Sequence, residues 1–141
     1  MAVVLKRVYE KASTRDGYRV LVDRLWPRGL SKESATVDLW LKEIAPSNEL
    51  RQWFHERRTQ WLAFREKYVE ELAEPEKVAA LEQLQSVVKK RKAVTLLFAS
   101  TDIEHNNAVV LKELLDGMKK PPRSTGGGAA AAARIARQQN R

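Results

Sequence analysis

Short apolar runs alternate along this chain with longer stretches of helical period. Val3 to Tyr9 is brief, apolar and rich in β-branched residues, which predicts a first strand. Ser13 to Gly17 is polar, with Asp16-Gly17 as a turn signal. Tyr18 to Val22 (YRVLV) predicts a second, central strand, and Pro27 and Gly29 make the segment after it a loop. Asp38 is placed to cap a short helix carrying Leu39, Trp40, Leu41 and Ile44, which Pro46 stops. Ser47 caps the next helix, with Leu50, Trp53 and Phe54. Trp61, Phe64, Tyr68 and Leu72 recur at helical spacing and should face a core. Pro75 opens a further helix as a first-turn residue, with a stripe of Val78, Leu81, Leu84 and Val88. The basic run Lys89 to Lys92 falls at its end, where positive charge suits the helix dipole. Val94 to Ala99 (VTLLFA) is the most continuous apolar run and predicts a strand buried on both faces of a parallel sheet. Ile103 to Leu115 returns to helical spacing through Ala108, Leu111, Leu114 and Leu115, with Thr101-x-x-Glu104 as a capping box.

This alternation of strands and helices gives an α/β fold class: a compact three-layer domain with a mostly parallel sheet flanked by helices. Residues 1–118 form the expected single domain. Residues 119–141 read as a flexible basic Gly/Ala-rich tail, since Pro121-Pro122 end a helix, Gly126 to Gly128 loosen the chain and Ala129 to Ala133 offer almost no apolar face.

Composition changes the picture mainly through charge and cysteine. The 141 residues are 43% hydrophobic and 31% charged, a folded rather than a disordered balance. Lys plus Arg number 26 against 18 Asp plus Glu, a formal charge of +8 that suggests a polyanionic partner such as nucleic acid. Six of those bases and no acid lie in 119–141, so the first 118 residues carry only +2. The absence of cysteine excludes disulfides, thiolate metal sites, iron–sulfur clusters and a cysteine nucleophile within this chain. No apolar run approaches the ~20 residues of a membrane span. The start MAVVLKRVYE lacks a signal peptide's long apolar region, so a cytoplasmic location is expected.

Two polar clusters stand out by position. Asp23, Arg24, Trp26 and Arg28 follow the second strand, and Ser100, Thr101, Asp102, His105, Asn106 and Asn107 follow VTLLFA. Ligands of open α/β sheets sit outside the carboxyl ends of the strands, so the clusters share one crevice if those strands are neighbours. Arg24 and Arg28 offer a charged fork for phosphate or carboxylate. His105 is the candidate acid or base, with Asp102 or Asp23 as its partner. Trp26, Ser100, Asn106 and Asn107 are candidate ligand contacts, and a helix start nearby would add free backbone N–H groups.

Each has a structural alternative. Asp102 or Thr101 can cap a helix, Asp23 and Arg24 can pair at a strand end, and Asn106 and Asn107 can bond local backbone. Trp26 can anchor a loop, and His55, among Glu56, Arg57 and Arg58, reads as an exposed surface residue. Gly-rich phosphate loops and a nucleophile elbow are absent. Two histidines and no cysteine argue against an elaborate transition-metal centre but leave a site of carboxylate and one His open; no metal ligand is assigned and the cofactor is unknown.

LVDRLWPRGLSK (21–32), DLWLKEIAPSNELRQWF (38–54) and TLLFASTDIEHNNAVVLKELL (95–115) resemble the YeaO-like branch of a bacterial domain-of-unknown-function family of DUF488 type. The similarity covers about residues 4–116. The resemblance implies a compact α/β three-layer fold. It carries the family's recurring polar motifs onto Asp23, Arg24, Trp26, Pro27, Arg28 and Gly29, onto Asp38, Trp40, Pro46, Arg51 and Phe54, and onto Asp102, His105 and Asn106. Where the wider family often has Cys-His-Arg, this chain has His105-Asn106-Asn107, so thiol chemistry does not transfer.

The expected function is binding of a small anionic ligand, with catalysis on His105 left open. The alternative is a nucleic-acid-binding or regulatory protein using the basic tail with Arg15, Arg19, Arg57 and Arg58. A third reading pairs a Trp40, Trp53 and Trp61 surface with another chain.

Overall fold

The computed structural model describes residues 2–117. The expected tail over 119–141 lies outside them. Four strands, β1 (Ala2–Arg7), β2 (Tyr18–Leu21), β3 (Leu39–Trp40) and β4 (Ala93–Phe98), form one sheet in the order β1-β4-β2-β3. Every neighbouring pair is parallel. The helices are α1 (Lys32–Ala35), α2 (Asn48–Glu56), α3 (Trp61–Glu71), α4 (Pro75–Lys90) and α5 (Asn107–Gly117).

The VTLLFA run is the reason for this order. Its residues Val94 to Phe98 are all buried, because β4 is hydrogen-bonded on both edges and covered on both faces. Val94, Leu96 and Phe98 face the main core, with Phe64 and Tyr68 of α3, Leu81 and Leu84 of α4, and Leu111 and Leu114 of α5. Leu97 faces the other way, onto a smaller cluster with Val8, Leu21 and Ala35. The buried Thr95 hydroxyl on that side donates to Asp16 O at 2.7 Å. Gly17, at φ 65°, lies where β2 starts against β4; a Cβ there would come within 2.3 Å of Ala93 O.

The two flanking layers are unequal. α3, α4 and α5 supply a full helical layer, whereas the opposite face is covered by the single-turn α1 and by Trp26, Leu30, Val37 and Trp40. The Trp26 and Trp40 rings meet edge-on at 5.4 Å.

Two expected elements differ. The helix expected over Leu39 to Ile44 is instead the edge strand β3 followed by a 3-10 turn at Lys42–Ile44. Asp38 does not cap it: its carboxylate accepts the Arg19 N–H at 2.8 Å and its own N–H donates to Arg19 O at 2.9 Å. Those long-range bonds draw the segment into the sheet and override its helical spacing. The last helix begins at Asn107 rather than Ile103. Asn106 Oδ1 accepts the Val109 N–H at 3.1 Å, the bond of a capping residue, while residues 101–106 form a loop. Ser47 caps α2 as expected, accepting the Leu50 N–H at 3.0 Å. Among the described residues no helix is long and apolar enough to cross a membrane.

Candidate functional site

β2 and β4 are neighbours, and the chain leaves their carboxyl ends in opposite directions. After β2 it turns into the thin layer through Trp26 and Ala35; after β4 it enters α5 on the helical face. Such a divergence opens a crevice at the strand ends. The cleft there has a volume of about 470 Å³.

Its floor is a clasp between the two strand ends. Asp23 Oδ2 accepts the Ala99 N–H at 2.8 Å, and Oδ1 accepts the Asn107 side-chain amide at 3.2 Å. The same amide donates to Val22 O at 2.9 Å, and Trp40 Nε1 donates to Asp23 O at 2.8 Å. Burial raises the Asp23 pKa, opposed by these donors and by the charge of Arg51.

The sequence-predicted residues Asp23, Arg24, Trp26, Arg28, Ser100, His105, Asn106 and Asn107 all line the cleft. Several are also engaged in structure. Trp26 Nε1 donates to Leu30 O at 2.7 Å, and the Asn106 amide donates to Asp102 O at 2.8 Å. Arg24 reaches the carbonyls of Ala45 and Pro46, both at 3.4 Å. Asp102 does not line the cleft: its Oδ1 accepts the N–H groups of Glu104 and His105, each at 3.0 Å, as an Asx turn does. Its other oxygen lies 3.5 Å from His105 Nδ1 and 3.6 Å from Arg58. Burial alone would raise the Asp102 carboxyl, but those two backbone donors and the charges of His105 and Arg58 bring it below its usual value. The half-exposed His105 ring packs on Trp61 at 4.9 Å.

A third wall comes from α2. Arg51, Phe54, His55 and Arg58 line the cleft at helical spacing, Arg58 just beyond the end of the helix. The Arg58 guanidinium lies over the Phe54 ring, 5.3 Å from its centroid. Of these, Arg51 and Phe54 belong to the family motifs; His55 is exposed, as its sequence neighbours imply, and it and Arg58 line the cleft without any motif marking them. Tyr9, after β1, completes the rim, its hydroxyl donating to Arg28 O at 2.9 Å.

The lining thus holds four arginines, Arg24, Arg28, Arg51 and Arg58, against one carboxylate, Asp23, a net +3 before either histidine is protonated. The side chains of Arg28 and Arg51 have no hydrogen bond or ion pair among the described residues. Within those residues no group of three or more His, Asp or Glu is placed to hold a metal ion.

Comparison with protein families matches residues 2–130 to the group described as the inactive DUF488-N3 subclade. The chain belongs to that family. The uncharacterised protein YeaO of Escherichia coli is 44% identical over 115 residues, which are 82% of this chain and 97% of YeaO. The uncharacterised proteins Rv3073c of Mycobacterium tuberculosis and Mb3100c of Mycobacterium bovis are each 40% identical over 115 residues, 82% of this chain and 94% of theirs. No solved structure shows a significant match. These relatives make the chain a YeaO-like member of the DUF488 family, and its His105-Asn106-Asn107 segment stands in it without any cysteine.

Proposed function

We propose that this YeaO-like protein is a binding domain for a small anionic ligand, held in the cleft at the ends of β2 and β4. The observation that carries this reading is the uneven charge of the lining: four arginines line a concave site whose one lining carboxylate is already clasped, and of the four only Arg58 has a carboxylate partner among the described residues, Asp102 at 3.6 Å. Guanidinium forks bind phosphate and carboxylate bidentately, and a cleft with low-dielectric walls focuses their field. The family description as inactive favours binding over turnover. A second groove, between α2 and α3, supplies an internal contrast, since Glu49, Glu70, Glu71 and Glu74 line it and repel the same ligand.

Amide chemical-shift mapping of the full chain during titration with pyrophosphate tests this. Shifts should saturate and gather at 23–28, 51–58 and 99–107, and leave the acidic groove unmoved. Shifts spread over both grooves, or none, would overturn the reading.

The approach of Asp102 to His105 Nδ1 favours a second reading, in which His105 serves as a general acid or base. That reading expects release of nitrophenol from p-nitrophenyl phosphate, abolished by His105→Ala. Simple binding expects no release from either protein.

A further inference from the structure

We propose that the ligand of this cleft is an aryl or heteroaryl phosphate, its phosphate held by Arg28 and Arg51 and its flat ring laid against Tyr9 and Trp26. This rests on the anion-binding reading and adds the chemical class of the ligand's body. A cleft of about 470 Å³ is far larger than an inorganic anion and falls in the range of sites that enclose whole organic molecules. The remaining lining is dominated by apolar and flat side chains rather than by further charge.

Two of those rings are fixed in place yet open to the cleft. Tyr9 is 41% exposed although its ring is tied at both its hydroxyl and one face. Its hydroxyl is bonded to Arg28 O, and the Arg7 guanidinium covers the ring at 5.2 Å. Arg7 is itself held by Ser100 O and Ala99 O, both at 2.9 Å. Trp26 is fixed through Nε1 on Leu30 O and through the edge contact with Trp40, and it remains half-buried. Rings immobilised before binding lose little entropy when a second ring stacks on them. Both are also fastened to the loop that carries Arg28, so the stacking wall and a phosphate-binding cation move as one unit. An aliphatic body would fill the volume but would gain nothing from flat faces.

Calorimetric titration of the full chain with inorganic phosphate, phenyl phosphate and cyclohexyl phosphate tests the proposal, because the two esters match in charge and approximate size. Phenyl phosphate should bind about tenfold more tightly than cyclohexyl phosphate. In Tyr9→Leu that ratio should fall towards one; if this variant does not fold, Trp26→Phe, which keeps a smaller ring, should reduce it. Equal binding of the two esters by the wild type would overturn the ring assignment and leave the anion reading standing. Absence of binding by all three phosphates would overturn the anion reading, and this inference with it.

Discussion

Asn107 donates its side-chain amide to Asp23 Oδ1 at 3.2 Å across 84 positions of sequence, and so ties the start of α5 to the end of β2. With Ala99 N–H on the other carboxylate oxygen, this clasp holds together the two strand ends that form the cleft floor. Asp23 thus acts as a positioning residue for the loop that carries Ser100 to Asn106.

Asp23→Ala leaves the Ala99 N–H and the Asn107 amide without this acceptor. We expect it to destabilise the fold by about 2 kcal/mol, read as a lower urea midpoint. Asn107→Ala removes the same contact from the other side. The double variant should therefore cost clearly less than the two single losses together, and strict additivity would show that the residues are not coupled.

α5 starts after Asn106, not at the Thr101-x-x-Glu104 box that the sequence pattern offers. Asn106→Ala should cost about 1 kcal/mol, because its side chain caps Val109 N–H. Thr101→Ala, in the loop before the helix, should change stability by no more than about 0.5 kcal/mol. Thermal unfolding of the two variants decides between them, and the opposite order would place the helix start at Thr101.

Asp16 gives the fold an acid-sensitive term. Burial alone would raise its carboxyl, but the Ser13 N–H, Lys6 and Arg19 outweigh burial and hold it below its ordinary value. Its contribution is present above the unfolded value of about 3.9 and is lost as pH falls through the lower folded value. Asp23 runs the other way: its raised value makes its contribution full below about 3.9 and lost as pH rises through the folded value. Urea titrations between about pH 2 and 7 should show Asp16→Asn less stable than the wild type at neutral pH, with a flatter decline below about pH 4. Parallel curves would remove Asp16 from that role.

The buried framework was legible because burial leaves a period in the sequence. β4 is the most continuous apolar run of the chain, and the stripes of α3 and α4 stand at helical spacing. The two clusters after β2 and β4 were legible as site candidates from the position rule for parallel sheets. The local pattern of Leu39–Trp40 favours a helix because the bonds that make it a strand come from Arg19 and Leu21, far away in sequence. The start of α5 is obscured in the sequence because Thr101-x-x-Glu104 copies a capping box while Asp102 and Asn106 make the actual bonds. His55 is exposed, as its charged neighbours imply, yet it and Arg58 also line the cleft, a placement that depends on how the long crossover from β3 to β4 folds back and that no local pattern encodes.

The central claim is that the arginines lining the cleft bind an anion. Arg28 and Arg51 are the discriminating positions, since neither side chain has a hydrogen bond or ion pair among the described residues and both can be truncated without breaking such a contact. Titration calorimetry of pyrophosphate into the wild type and into the Arg28→Ala/Arg51→Ala double variant, at two salt concentrations, tests it most directly. We expect saturable binding that weakens with salt and falls by at least about tenfold in a double variant whose circular dichroism is unchanged. No saturable binding to the wild type, or equal affinity in the folded double variant, would contradict the claim.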